Sequence, residues 1–302
     1  MIAIASRRPG RLSTALISAA LALAAGACTA DVDRALAAAD LTAARDCPEQ
    51  EEALLRAVAQ RLGRQRTRAG RAQLADGARS REQALWRRLA ELYAGPLRSP
   101  QEALAAYDAA LALSPSGPEA GTVQLAQAEL RHRAMQDGAG AAQTFEAAAA
   151  SLGRGASAAA ALLAAAERYL ALGNVERTAA LCERVAADWP GAADAARARL
   201  LLGQAHVVAG RVPEALSAYE ALLASRPPAP LAAVAKARLA QVHQGRGESA
   251  QALDYYHAAL SHHPNAPMVQ DAIARLREQM VQSTPNRSIL RGAGSNAHVA
   301  RR

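Results

Sequence analysis

One spacing constrains this chain more than any other feature. Leu202-Gly203, His206, Gly210, Ala215, Tyr219, Leu222 and Pro227 recur 37 residues later as Leu239-Ala240, His243, Gly247, Ala252, Tyr256, Ala259 and Pro264. Repetition at a period of roughly 20 to 50 residues marks a stack of supersecondary units, none of which can bury its apolar face alone. Each unit touches only its neighbours, so a stack escapes the size limit of a single globular core. The 302 residues are therefore expected to form one extended α-domain rather than two globules.

The register extends outward from that pair. One position in the second half of each unit reads Tyr107, Phe145, Cys182, Tyr219 and Tyr256, at spacings of 38, 37, 37 and 37. Four residues before each stands Ala103, Ala141, Thr178, Ala215 or Ala252, and three after it Ala110, Ala148, Val185, Leu222 or Ala259. Offsets of three and four share one helix face, so a small residue admits a neighbouring helix and a ring fills the gap beside it. Pro115, Gly153, Pro190, Pro227 and Pro264 end the units where a helix must stop,. Gly173, Gly210 and Gly247 are expected to supply the turn between the two helices of a unit,. The second unit is degraded, with Glu129 where a small residue is usual.

In the first unit Trp86-x2-Leu89-Ala90-x2-Tyr93 is followed by Ala103-x3-Tyr107-x2-Ala110-x4-Pro115, and the pattern resembles the tetratricopeptide repeat,. Seven of the nine aromatic residues, Trp86, Tyr93, Tyr107, Phe145, Tyr169, Tyr219 and Tyr256, fall on that repeat's aromatic positions. The resemblance implies an all-α helical-hairpin solenoid, coiled as a right-handed superhelix. Five repeats are expected over 81–264, a capping helix over 265–282 with Ile273, Leu276 and Met280 on one side, and a disordered basic tail over 283–302,.

Ahead of the repeats, residues 28–80 read as a helical segment and a basic loop. One helix covers 31–46, closed by Cys47-Pro48, and a second covers 49–65 with Leu54, Leu55, Val58 and Leu62 on its apolar stripe; together they would cap the array. Arg61, Arg64, Arg66, Arg68 and Arg71 follow without an intervening acid, as a solvated loop or as a contact for a polyanion such as anionic lipid,.

Residues 1–27 read as a signal peptide. Arg7, Arg8 and Arg11 precede an uncharged run from Leu12 to Ala27, too short to span a bilayer comfortably,. Ser6-Arg7-Arg8 leaves open the twin-arginine route. Ala25-Gly26-Ala27-Cys28 resembles a lipobox, which implies lipid attachment at Cys28, although Ala25-x-Ala27 also fits simple cleavage,. These features place the protein on the periplasmic side of a bacterial cell envelope, as an outer-membrane lipoprotein by the resemblance of Thr29 to a sorting residue. Removing the arginines of the signal and the tail, +3 and +4, from the net charge of +8 leaves +1 for residues 28–282. So balanced a body argues against nucleic acid as a partner.

No phosphate-cradling glycine loop, paired-cysteine metal spacing or nucleophile elbow is present, so no cofactor, metal, small-molecule substrate or enzymatic activity is expected. His132, His206 and His243 share the first-helix ring position with Tyr169 and read as replacements for a ring. His257, His262 and His263 read as a surface cluster, with a weak metal or pH-sensitive contact as the alternative,. Cys182 reads as a buried small apolar residue, or as a partner for Cys47 in an oxidising compartment,.

What remains is a surface. By resemblance to the tetratricopeptide family, the first helices line a concave groove that holds a peptide or a partner helix. The matching positions are Arg87, Glu91 and Ala94; Ala126, Leu130 and Arg133; Leu163, Glu167 and Leu170; Leu200, Gln204 and Val207; Ala237, Gln241 and Gln244. The Lys and Asn residues of the family's carboxylate clamp do not match, which argues against a chaperone C-terminus as ligand. The expectation is a membrane-anchored, non-catalytic scaffold for envelope proteins, resembling the lipoproteins of the β-barrel assembly, Tol-Pal and type IV pilus systems. An accessory subunit of a cell-wall or envelope-assembly enzyme complex is the alternative, and a structural spacer with merely solvated positions is a third reading.

Overall fold

The computed structural model describes residues 76–283 and, ahead of them, Pro48, Glu52, Leu55 and Arg56. Regular structure in this region is α-helical: α1 (Asp76–Ala94), α2 (Pro100–Leu113), α3 (Pro118–Met135), α4 (Gly138–Leu152), α5 (Ala156–Ala171), α6 (Val175–Asp188), α7 (Ala193–Val208), α8 (Val212–Ala224), α9 (Ala229–Gly245), α10 (Ser249–Leu260) and α11 (Ala266–Ser283). Two compact units divide the chain, with the boundary inside α5 between Ala161 and Leu162, where the sequence led us to expect one extended domain. A stack has no shared centre to prevent such a division. The proposed signal peptide, Cys28, Cys47, the arginines of 61–71 and the tail beyond Ser283 lie outside the described residues.

The helices follow from local chemistry. Asp137 accepts the backbone N–H of Gly140 at 2.8 Å and caps α4, and Asn174 accepts that of Arg177 at 3.1 Å and caps α6,. Proline opens α2 and α3, where a missing N–H is harmless,. The helix pairs close through one recurring backbone bond to the carbonyl of the first-helix ring position. Tyr169 O accepts from Asn174, His206 O from Arg211 and His243 O from Glu248, at 2.8 to 2.9 Å. Within that turn Gly173, Gly210 and Gly247 take φ of 77°, 71° and 78°, the left-handed region that favours glycine,. In the first pair Tyr93 O accepts from Ser99 instead, the extra residue being absorbed between them.

Packing obeys the 37-residue register. Ala103, Ala141, Thr178, Ala215 and Ala252 are all fully buried, and so are the side chains at the ring position, Tyr107, Phe145, Cys182, Tyr219 and Tyr256. Thr178 occupies an alanine position without leaving its hydroxyl unpaired, because that group donates to Asn174 O at 2.8 Å. Glu129, opposite in character to Ala90, Ala166, Gly203 and Ala240 at the same register, turns to solvent and pairs with Arg133 at 2.8 Å.

In the first unit, Leu55 joins Leu89, Leu92, Tyr93, Tyr107, Val123 and Leu130 in one apolar cluster. Tyr93 donates its hydroxyl proton to Glu52 at 2.6 Å and bonds Arg56, whose guanidinium lies 5.7 Å from the ring centroid,. Glu52, Leu55 and Arg56 therefore pack against α1, which begins at Asp76. In the second unit, Ala215, Tyr219, Leu239 and Val242 form one cluster, and Ala252, Tyr256, Val269, Ile273 and Leu276 another. Val269, Ile273 and Leu276 come from α11, so this helix covers the end of the last pair.

Candidate functional site

The second unit carries a groove on its first helices. Leu170 of α5, Gln204, Val207 and Val208 of α7, Tyr219 of α8, and Arg238, Gln241 and Val242 of α9 line a cavity of about 320 Å³. Four of the residues expected from register, Leu170, Gln204, Val207 and Gln241, thus share one concavity. Val207 and Val208 are 45% and 63% exposed, unusual for aliphatic side chains that could have turned inward,. Tyr219 is fully buried, and its hydroxyl is pushed up to about 12 by burial, against the opposing charge of Arg238,. Arg238 donates to Gln241 Oε1 at 2.9 Å along α9.

Other expected residues fall elsewhere. Leu163 and Leu130 are 2% and 7% exposed, so they form interior rather than groove. Ala237 is likewise buried, and Leu200 packs against the cluster around Tyr219 and Leu239. A first helix here packs against neighbours on more than one side, so a three-position stripe includes its buried margin,. Glu167 sits at the rim, 3.5 Å from both Arg168 and Arg197. Gln244 is engaged internally, accepting from Tyr256 Oη at 3.2 Å and donating to Gln279 Oε1 of α11 at 3.4 Å.

In the first unit the corresponding face carries ion pairs. Glu91 stands between Arg87 at 3.9 Å and Arg88 at 3.6 Å, all three exposed, and Arg133 is held by Glu129. Exposed ion pairs of this kind contribute little to stability. Val208, Tyr219, Arg238 and Val242 were not expected at the site. The Val207-Val208 doublet just before Gly210 was a legible signal, since the helix exposes both side chains at its last turn.

Of the three histidines at the first-helix ring position, His243 makes an aromatic contact. His243 stacks on Tyr255 with centroids 5.3 Å apart and joins its Nδ1 to Glu248 at 2.5 Å, within one hairpin. His257 meets Arg277, His262 meets Ser261, and His263 meets the backbone of Asn265, so the three form no common centre. Among the described residues no group of three or more His, Cys, Asp or Glu side chains could hold a metal, and no helix is long and apolar enough to cross a membrane. Cys182 is a free, buried thiol.

No family model matches this chain, and no curated protein matches it. Among solved structures it is similar to the apo form of RapI, at 11% identity and a TM-score of 0.51 over 89% of this chain and 72% of that one. It is also similar to YrrB, described as a tetratricopeptide protein with an unusual peptide-binding site, at 20% identity and a TM-score of 0.47 over 62% and 90% of the two chains. A tetratricopeptide repeat protein from Parabacteroides merdae shows 14% identity and a TM-score of 0.40 over 87% and 97%. Identities this low speak to architecture alone. The chain folds as an all-α helical-hairpin solenoid of the tetratricopeptide type.

Proposed function

We propose that the protein is a non-catalytic scaffold of the bacterial cell envelope, held to a membrane by lipid at Cys28, that captures a peptide or helix of another envelope protein in the groove of its second unit. The observation that carries the reading is the pair Val207 and Val208, exposed at the mouth of a cavity whose floor is the buried ring of Tyr219. Apolar side chains left in water at a preformed concavity favour an amphipathic ligand. Gln204 and Gln241 add carboxamides that can both donate to and accept from a peptide backbone. The envelope location and the anchor rest on the sequence of residues 1–28.

Crosslinking and mass spectrometry on intact envelopes, comparing wild type with Val207→Gln/Val208→Gln, test the groove. The expected result is a small set of envelope proteins that the variant no longer captures. Undiminished capture rejects the groove as the binding surface. Palmitate labelling sensitive to globomycin tests Cys28, and an unlabelled, soluble periplasmic protein rejects the anchor.

A further inference from the structure

Resting on that groove reading, we propose a class of ligand: a linear peptide segment with a bulky apolar side chain for the cavity and, close by in the same segment, an acidic side chain for Arg238. The cavity is at the small end of the range of ligand sites, roughly 300 to 1,000 Å³, and suits one or two side chains. Its walls at Leu170, Val207, Val208 and Val242 are aliphatic, and no acidic residue lines it.

Charge specifies the second element. Arg197 pairs with Glu167 and Asp194, Arg211 with Glu176 at 2.9 Å, and Arg246 with Glu248 at 2.8 Å, so neighbouring exposed arginines of this unit have carboxylates. Among the described residues Arg238 has no ion pair. Arg199 and Arg226 have none either, but Arg238 is the arginine that lines the cavity, and its guanidinium bonds only the neutral carboxamide of Gln241. A guanidinium presents five donors in a fixed fork that suits a carboxylate. A ligand carboxylate would take the donors that Gln241 leaves free, while a lysine at that point of a ligand would be repelled. Gln204 of α7 and Gln241 of α9 line the cavity together with Arg238, so a segment that uses these carboxamides for its backbone carries its carboxylate on a side chain.

The test pans a random linear peptide library, displayed on phage, against the full chain in mild detergent. Three proteins are compared: wild type, Arg238→Gln and Val207→Gln/Val208→Gln, each first shown to be helical and cooperatively melting. Wild type is expected to enrich peptides pairing Asp or Glu with a large apolar residue. Synthetic versions should bind at least about tenfold more tightly than their Asn or Gln analogues, as expected for a charge-assisted bond. With Arg238→Gln that preference should vanish while apolar selection persists. Peptides that enrich without an acid, or that bind equally as Asp and Asn forms, overturn the ligand class and leave the groove standing. Free-carboxyl peptides that lose binding on amidation place the charge at a terminus and overturn the side-chain assignment. Failure to enrich any peptide sensitive to the valine changes overturns the groove together with its ligand.

Discussion

Gly203 of α7 lies against the Cδ1–Cε1–Cζ edge of the Tyr219 ring in α8, so that a Cβ at position 203 would meet Cε1 first and stand 2.7 Å from both Cδ1 and Cζ. The same register position carries Ala240 in the next pair, so the fourth pair alone of these two requires a bare backbone for its tyrosine.

Two effects compete when Gly203 becomes alanine. Relief of glycine's poor helix propensity stabilises by about 1 kcal/mol, whereas overpacking against a fully buried side chain costs about 1 to 3 kcal/mol. The atoms met are those of a buried aromatic ring rather than the far end of a flexible chain, so Gly203→Ala is expected to lower the melting temperature by a few degrees, read by circular dichroism,. An unchanged or raised Tm would show that the ring yields.

Leu163 and the valine pair separate stability from binding. Leu163→Ala removes a buried side chain and is expected to cost about 2 to 5 kcal/mol, while Val207→Gln/Val208→Gln, at exposed positions, should stay within about 0.5 kcal/mol of wild type,. Denaturant unfolding measures both. A large loss in the valine variant would mean those residues hold the fold together.

Alkaline pH should weaken the second unit through Tyr219. Its folded pKa is raised to about 12 from an ordinary value near 10, so the folded state prefers the neutral phenol. The stabilisation is fully present below pH about 10 and is lost as pH climbs from there through about 12, each unit of separation being about 1.4 kcal/mol. Absorbance titration of wild type against Tyr219→Phe should show one phenol that ionises only with unfolding, and the variant should lose less stability over that window.

Cys182 is expected to resist alkylation. Burial, assisted by the nearby charges of Glu167 and Glu183, pushes its thiol up to about 12, which leaves on the order of one thiolate in ten thousand at pH 8,. Iodoacetamide followed by peptide mass mapping should mark Cys182 slowly in the native protein and promptly in guanidinium. Fast native labelling would contradict its place in the core.

The register carried most of the fold. Positions 103, 141, 178, 215 and 252 could be read as buried because five units repeat one packing problem, and the cysteine and threonine at Cys182 and Thr178 inherited their places from neighbours. The site was less legible. Register says that Leu163, Leu200 and Leu170 share a stripe, but how far a neighbouring helix leans over that stripe decides that Leu163 is interior and that Leu200 and Leu170 are half-buried. Arg238 was missed for a related reason: it stands one residue beyond Ala237, and a side chain that long reaches the groove from the flank.

Gln244 sets a boundary. At the position where α5 has Leu170 and α7 has Val207, α9 has a glutamine whose carboxamide is already spoken for by Tyr256 and Gln279. The protein therefore occupies the last berth of its own array. Whatever docks there reads a ruler whose far end is marked by the chain itself, and a longer message would require α11 to be lifted away.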